Sequence, residues 1–266
     1  HTAQKLLVEL RATKRKELTK LGRKIARFPM DPRLAASLIS APDFGSLTEL
    51  LTLVSFLSLQ DIRERPIEHA HKADEAHQKF VDARSDFLTI LKMWDWIETV
   101  KREESKSSFK KTLKKNFLNF RRTVEWSETR DQLARICKTL GLKANTDKAS
   151  YRAIHLPMII GNLSNLARLK DRTQYQGARN QSLMIFPGSG LFKKKHAWIV
   201  SIEIIETSRI YARDAASIRP SWVEQCSKHL QKERFDDPHW SKKRGEVMGY
   251  QTISLYGLVL AEKRRK

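Results

Sequence analysis

Apolar residues repeat at helical spacing between about residue 31 and residue 142. The clearest stripe repeats at i, i+3, i+4, i+7 and i+10 and consists of Leu47, Leu50, Leu51, Val54 and Leu57. A second stripe consists of Phe87, Ile90, Leu91, Trp94 and Ile97, and a third runs through Phe109, Leu113, Phe117 and Phe120 towards Leu133 and Ile136. This spacing turns the apolar side chains of each helix to one side. The segment is therefore predicted to be a helical bundle.

Two helix starts can be predicted from single residues. Asp31 is a candidate N-cap, because its carboxylate can accept the unpaired amide hydrogens of the first turn, and Pro32 suits the first helical position. Ser46 and Glu49 have the spacing of a capping box ahead of the first apolar stripe. Gly141 is a suitable stop near the end of the bundle.

The period of the pattern changes to two after Thr173. Residues 198–205 alternate as a strand does, and residues 182–186, 210–218 and 247–255 predict further strands. A short helix opens at Pro220, between the strands. Several short strands with one inserted helix favour a small β-barrel of the OB-fold type.

The segments around the bundle are shorter. Polar residues 145–150 predict a boundary before the barrel, and residues 151–169 predict one more helix despite Pro157 and Gly161. Residues 1–29, with a helix over 3–10 and a basic segment over 18–28, are too few to bury a core.

The expected fold class is therefore α+β with several domains. We expect the trailing part of a domain over 1–29, a helical bundle over 30–146 and an OB-fold barrel over 147–266. Because the chain begins with His1 instead of methionine, we also expect it to be a piece of a longer protein.

The formal net charge of +21 is concentrated in three segments. Residues 1–30 and residues 101–122 each carry nine basic and two acidic residues, and residues 242–266 carry seven basic and two acidic residues. Clustered positive charge suits a polyanion such as nucleic acid. Solvated helix faces and a basic tail are the other interpretation.

Cysteine usage and hydropathy indicate the compartment. Cys137 and Cys226 are far apart and form no CxxC pair, which argues for a reducing environment and against a zinc–thiolate site. No apolar run approaches the ~18–20 residues that cross a bilayer, and the N-terminus has no signal-peptide segment. We expect a soluble, cytoplasmic protein.

Nothing in the chain predicts catalysis. Residues 74–77 spell Asp-Glu-Ala-His, a motif of ATP-hydrolysing enzymes, but they follow polar residues instead of the buried strand that such a motif needs. No G-x-x-x-x-G-K-[ST] run is present to cradle a triphosphate. We expect no metal site, since His69, His71 and His77 are best explained as surface histidines.

The strongest local candidate for ligand contact is the segment 183–195. A strand runs into the loop Pro187-Gly188-Ser189-Gly190, and three lysines follow from Lys193. A hydroxyl, loop amides and lysines together suit phosphate oxygens. A tight barrel turn followed by a solubilising lysine run explains the same residues equally well.

Residues 116–122 combine aromatic, amide and arginine side chains. The aromatic side chains fit the core stripe, which leaves Asn119, Arg121 and Arg122 to face nucleic acid. Arg84 begins an Arg-Ser-Asp triplet that suits a helix start, and its side chain can reach a phosphate, although helix capping alone explains the triplet.

Several segments, in the same order along the chain, resemble the C-terminal region of DEAH-box RNA helicases of the bacterial HrpA type. They are residues 18–34, 60–66, 84–88, 116–121, 175–180, 186–192, 206–209 and 239–258. The resemblance implies a winged-helix remnant over 1–29, then a ratchet-like helical domain and an OB-fold. It also implies two RecA-like domains elsewhere in the parent protein that use ATP and Mg²⁺, while this chain holds no cofactor.

The resemblance further implies a binding role and not an enzymatic one for the chain itself. The region would hold single-stranded RNA mainly through its backbone and guide it during unwinding. The residues expected to contact RNA are Arg84, Asn119 and Arg121 in the ratchet-like bundle and Arg179, Asn180, Ser189, Lys193 and Lys194 in the OB-fold. Other implied partners are the RecA-like domains and the ribosome or mRNA. Eukaryotic relatives carry a His-Pro-Ser-type sequence at 186–189, so the contacts of this loop stay open.

Two other functions remain as alternatives. The chain could be a docking platform for regulators or the ribosome, with RNA contact secondary, or a free-standing enzyme with measurable turnover. Salt distinguishes RNA binding from docking. Binding through several phosphates weakens steeply with ionic strength, whereas a platform binds no RNA even at low salt.

Overall fold

The computed structural model describes residues 2–15, 17–241 and 245–265 and divides the chain into two units, His1–Gly161 and Asn162–Lys266. The first unit is mostly helical, and the second contains most of the strands. The predicted α+β content is therefore confirmed.

The first unit begins with a helix, a short hairpin and a second helix. These are α1 (Thr2–Glu9), β1 (Thr13–Lys14), β2 (Glu17–Leu18) and α2 (Lys20–Ile25). Thr19 caps α2, because its hydroxyl accepts from the amide of Gly22 at 2.9 Å. A Cβ atom on Gly22 would lie 2.0 Å from the carbonyl oxygen of Ala12, so the close approach of hairpin and helix requires glycine.

Seven further helices complete the first unit. They are α3 (Pro32–Ser40), α4 (Leu47–Leu57), α5 (Ala70–Gln78), α6 (Asp86–Glu103), α7 (Lys106–Lys115), α8 (Phe120–Thr139) and α9 (Tyr151–Gly161). Asp31 caps α3 as predicted: its carboxylate accepts from the Arg33 amide at 2.7 Å, with Pro32 at the first helical position. Burial raises the pKa of Asp31, but its hydrogen bonds with Arg33 outweigh that effect and leave the pKa below its ordinary value.

The core of the bundle forms around Trp126 on α8, which is fully buried. Its ring packs edge-on against Phe56 of α4 and Trp94 of α6, with centroid distances of 4.9 and 4.7 Å. Its indole nitrogen donates to the carbonyl of Thr52 and to the hydroxyl of Ser55, both at 3.0 Å. The Trp126 ring thus joins three helices through apolar contacts, and its one polar atom is hydrogen-bonded.

The predicted capping box at Ser46 and Glu49 is wrong. Ser46 precedes α4, but its hydroxyl donates to the carbonyl of Ala153 at 2.8 Å and makes no capping bond. Glu49 accepts from the amide of Ala149 at 2.8 Å and from the side chain of Asn145 at 3.0 Å. Both side chains serve tertiary contacts, which the local spacing does not reveal.

The single helix predicted over 151–169 is also wrong in its second half. α9 ends at Gly161, where an added Cβ would lie 2.2 Å from the Ser37 hydroxyl and 2.3 Å from the Arg33 carbonyl of α3. A 3-10 turn over Leu163–Asn165 then leads into β3 (Leu166–Asp171). The apolar residues of this stretch therefore belong to two different cores.

The second unit contains a closed five-stranded barrel. Its remaining strands are β4 (Gln174–Gly177), β5 (Ser182–Ile185), β6 (Trp198–Glu206) and β7 (Ile210–Ser217). The order around the barrel is β3-β4-β5-β7-β6, with β5 and β7 parallel and the other pairs antiparallel. The predicted strands β5, β6 and β7 are confirmed.

A separate sheet follows the barrel. After α10 (Pro220–Cys226) come β8 (Lys232–Ser241), β9 (Glu246–Leu255) and β10 (Leu258–Arg265), in the order β10-β9-β8. The strand predicted over 247–255 is confirmed as β9, but it lies outside the barrel. Pairing of β5 with β7 closes the barrel and leaves no open edge for another strand. None of the helices in the described part of the chain is long and apolar enough to span a membrane.

Candidate nucleic-acid interface

The loop that follows β5 is held by a buried side chain and three turns. Leu191 is fully buried in the barrel core. Backbone bonds from Ser189 to Phe186, from Phe192 to Ser189 and from Lys194 to Leu191 fold the segment tightly, each at 3.0 Å. The hydroxyl of Ser189 accepts from the amide of Leu191 at 3.1 Å. The loop is thus a fixed part of the barrel surface.

The lysines of this loop point away from the core. Lys193, Lys194 and Lys195 are all exposed, and Lys193 has a positive φ of 61°. The ammonium of Lys193 lies 5.6 Å from the centre of the Phe192 ring, which itself packs against the core. An anchored backbone that carries adjacent exposed cations can contact consecutive phosphates.

Sequence reasoning missed two residues beside this loop, Tyr211 and Arg213 of β7. The amide of Phe186 donates to the Ala212 carbonyl at 2.9 Å, which places the Phe186 ring 6.1 Å from Tyr211 and 5.8 Å from the Arg213 guanidinium. Phe186 remains 37% exposed. Strand alternation alone could have indicated the outward position of Tyr211 and Arg213, on either side of buried Ala212.

Arg179 and Asn180 lie at the other end of β5 from this loop. They form the turn between β4 and β5, with φ values of 57° and 62°. The Arg179 amide donates to the Tyr256 carbonyl at 2.8 Å, and its guanidinium lies 5.4 Å from the Tyr256 ring centre. Asn180 accepts from Gln176 at 2.8 Å. Four residues of extended chain, about 13 Å, separate the two groups of predicted OB-fold contacts.

Asn119 is committed to structural contacts, contrary to the expectation that it is free. Its side-chain oxygen accepts from the Arg122 amide at 3.0 Å and caps α8, and its side-chain nitrogen donates to Glu64 at 2.6 Å. Arg122 is also engaged, because it donates to the Asp61 carbonyl at 3.0 Å. Arg121, one residue earlier, is exposed.

Arg84 lies beside the start of α9. Ser85 caps α6, since its hydroxyl accepts from the Leu88 amide at 3.3 Å, and Arg84 precedes it with its guanidinium 5.0 Å from the Tyr151 ring centre. Arg84 therefore lies at the start of α6, whereas Asn119 and Arg121 lie at the start of α8.

α7 adds a basic surface that was not predicted as a site. Phe109 and Leu113 are buried, and the exposed positions hold the lysines Lys106, Lys110, Lys111, Lys114 and Lys115. The part of the basic stretch 101–122 that forms α7 thus has one buried apolar side and one exposed cationic side.

The Asp-Glu-Ala-His run lies on α5. Asp74 forms a two-bond ion pair with Arg65, at 2.7 and 2.8 Å. His77 contacts the carbonyl of Phe117 at 3.2 Å, and burial lowers its pKa. These side chains connect α5 to its neighbours within the helical unit.

Two family models match the chain. The model described as helicase associated domain (HA2), ratchet-like, matches residues 31–90, and the model described as oligonucleotide/oligosaccharide-binding (OB)-fold matches residues 154–230. A ratchet-like helical domain followed by an OB-fold is the class of protein that fold and sequence define together.

Curated relatives align along almost the whole chain. The ATP-dependent RNA helicase HrpA homolog of Haemophilus influenzae is 39% identical over 258 residues, which are 97% of this chain and 20% of the relative. HrpA of Escherichia coli is 39% identical over 250 residues, 94% of this chain and 19% of the relative. The human ATP-dependent RNA helicase DHX33 is 26% identical over 211 residues. The resemblance to HrpA-type DEAH-box helicases is confirmed, and the chain spans about a fifth of the length of its HrpA relatives.

Proposed function

We propose that this chain is the accessory C-terminal region of an ATP-dependent RNA helicase and that it holds single-stranded RNA while motor domains elsewhere in the parent protein move it. ATP and Mg²⁺ would act in those RecA-like domains and not on the residues of this chain. The similarity to HrpA along the chain and the OB-fold match support this proposal.

The observation that carries the proposal is the loop after β5. Leu191 anchors it in the barrel core, while Lys193 and Lys194 stand in solvent on consecutive positions. Phosphate contacts from such lysines fix a strand in place without reading its sequence. The Ser189 hydroxyl adds a neutral partner on the same turn.

Phe186 and Arg213 add a surface beside the loop that can contact RNA bases. An exposed ring beside a guanidinium is a stacking surface that accepts every base, because each base has a π-face. We therefore assign phosphate contacts to the lysines and a base contact to Phe186. Arg179 and Asn180 would meet a different stretch of the same strand, at the other end of β5.

In the helical unit, Arg121 and the lysines of α7 are the cations that suit the RNA backbone. Asn119 supports this surface by capping α8, and Arg84 is a separate cation at α6. Residues 1–29 would be the end of a winged-helix domain. The parent protein would act in the cytoplasm, with mRNA or the ribosome as partner.

The test is fluorescence anisotropy with a short single-stranded RNA. We expect Lys193→Glu/Lys194→Glu to weaken RNA binding about tenfold or more. In a plot of the logarithm of the binding constant against the logarithm of the salt concentration, the slope for this variant should be less steep by about 1.4, the contribution of two phosphate contacts. Lys143→Glu/Lys228→Glu is the matched control, since it makes the same charge change at exposed positions outside the loop. An equal loss of RNA affinity in both variants would mean that the loop contributes only general positive charge and no specific phosphate contact. No binding by the wild type at low salt would favour the docking platform.

A further inference from the structure

The helical unit contains a cavity of about 430 Å³ that the RNA-binding proposal does not use. Residues of α4, α6, α8 and the start of α9 line it. Its size falls within the range of sites that hold small ligands or single anchoring side chains. Arg130, which lines it, lies nine residues after Arg121 on α8 and so about 13 Å further along the helix axis.

The floor of the cavity is apolar. Leu88, Leu91 and Trp94 follow one another at three-residue spacing on α6, and all three remain partly exposed while Phe87 and Ile90 are buried. A ligand that covers this row of large apolar side chains removes it from water, which lowers the free energy of the complex.

The rim of the cavity is cationic. The guanidinium of Arg130 lies 5.3 Å from the Trp94 ring centre; its Nε donates to the Thr52 hydroxyl at 2.9 Å, and its Nη1 lies 4.0 Å from the exposed carboxylate of Asp131. Arg84, Lys92 and Lys148 also line the opening, and Lys92 pairs with Asp82 at 2.9 Å.

The two acidic residues of the lining already have partners. Both carboxylate oxygens of Glu49 accept bonds from the 145–149 segment. Asp95 lies 3.8 Å from Lys148, and both side chains are largely in solvent. With Lys92 paired to Asp82 and Lys148 near Asp95, the guanidinium groups of Arg84 and Arg130 are the cationic partners that the opening offers to a ligand.

The Tyr151 ring of the cavity already has partners over its face and is not a stacking surface for a nucleobase. One face of Tyr151 is stacked on His155 at 3.8 Å, and the Arg84 guanidinium lies over the Tyr151 ring as well.

We propose that this cavity binds an acidic peptide segment of another protein, with a large apolar side chain on the Leu88–Leu91 floor and flanking carboxylates on Arg130 and Arg84. Charge complementarity indicates that the partner segment is acidic. Carboxylates match the guanidinium fork, and the apolar side chain matches the half-buried floor. RNA binding by the barrel loop does not depend on this site.

The test uses two acetylated, amidated hexapeptides, Glu-Asp-Phe-Leu-Asp-Glu and its neutral counterpart Gln-Asn-Phe-Leu-Asn-Gln. The readout is the indole N–H resonance of Trp94, assigned with Trp94→Phe. We expect a saturable shift with the acidic peptide and affinity at least about tenfold lower for the neutral one. Equal affinity for both peptides, or no shift of Trp94 with either, would overturn the proposal.

Variants locate the binding. Arg130→Gln is expected to weaken the acidic peptide about tenfold, while Arg121→Gln, on the same helix but outside the cavity, leaves it unchanged. Because Arg130 also holds Thr52, Lys148→Gln is the second variant, since its side chain is 84% exposed and its loss does not threaten folding; we expect about threefold weaker binding. If single-stranded RNA shifts Trp94 and displaces the peptide, the cavity is an RNA site and the peptide proposal is wrong.

Discussion

Asn119 uses both ends of its side chain at the start of α8, although its place among aromatic and arginine residues predicted a contact with RNA. The oxygen caps the helix and the nitrogen pairs with Glu64. Gly161 is a similar case, because only the absence of a side chain lets α9 approach α3. At the scale of single residues, the role of a side chain is therefore determined by the residues that it contacts in the folded protein.

Asn119→Ala is expected to lower the free energy of unfolding by about 1 kcal/mol, because it removes the N-cap of α8. Asn119→Ser keeps a capping oxygen and is expected to cost less than half as much. Urea denaturation at pH 7 measures both. Equal destabilisation by the two substitutions would show that the cap is not the important contact.

At the scale of elements, α6 and α9 are joined through a buried histidine. His155 is fully buried, with Nδ1 2.6 Å from the Tyr151 carbonyl and Nε2 2.7 Å from the Ser85 hydroxyl. Burial lowers the pKa of His155 to about 4, so the ring is neutral at pH 7. Since a carbonyl can only accept, the single ring proton is on Nδ1, and Nε2 accepts from Ser85, whose oxygen in turn accepts from Leu88.

This pKa predicts the acid sensitivity of the helical unit. Between the unfolded pKa of about 6.5 and the folded pKa of about 4, the unfolded chain binds more protons, so stability falls as the pH falls through this range. The difference is about 3 kcal/mol between pH 7 and pH 4.

Chemical denaturation across this pH range is the measurement, with His155→Gln as the control. The variant is expected to be less stable at pH 7 but to lose less stability on acidification. A parallel pH dependence in the two proteins would mean that another group is responsible.

At the scale of the whole molecule, the basic residues concentrate on a few surfaces. Five exposed lysines lie on α7, and three more, Lys193, Lys194 and Lys195, lie in the loop after β5. Because α7 belongs to the first unit and this loop to the second, each unit contributes its own cationic surface.

This distribution predicts RNA binding that depends strongly on salt and weakly on sequence. When the logarithm of the RNA binding constant is plotted against the logarithm of the salt concentration, we expect a slope steeper than about −2, which corresponds to about three phosphate contacts on a single strand. Homopolymers of uridine and adenosine of equal length should differ in affinity by less than about threefold. Anisotropy titrations between low and moderate salt check both values. Binding that is insensitive to salt, or a preference above about tenfold for one base, would contradict backbone recognition.

Much of the fold could be predicted because its signals are local. The Asp31 cap and the apolar spacing of α4 each depend on residues a few positions apart. β6 was also predicted from neighbouring residues, although Trp198 to Ile202 are all buried and do not alternate. β3 was missed because its apolar residues continue the helical pattern before it, and β4 because it is short and mostly polar. For the candidate site, the loop after β5 was predicted from its composition, whereas Tyr211 and Arg213 come beside it only through the β5–β7 pairing.

The sequence alone determined that a helical region precedes a strand-rich one, where the positive charge clusters and which family the chain resembles, since all three are properties of neighbouring or ordered residues. Only the tertiary structure decided that the Asn119 side chain pairs with Glu64, that Ser46 and Glu49 bind other segments, and that an apolar cavity with a cationic rim stands open on α6. These outcomes depend on contacts between residues tens of positions apart, whose geometry exists only after the chain has folded.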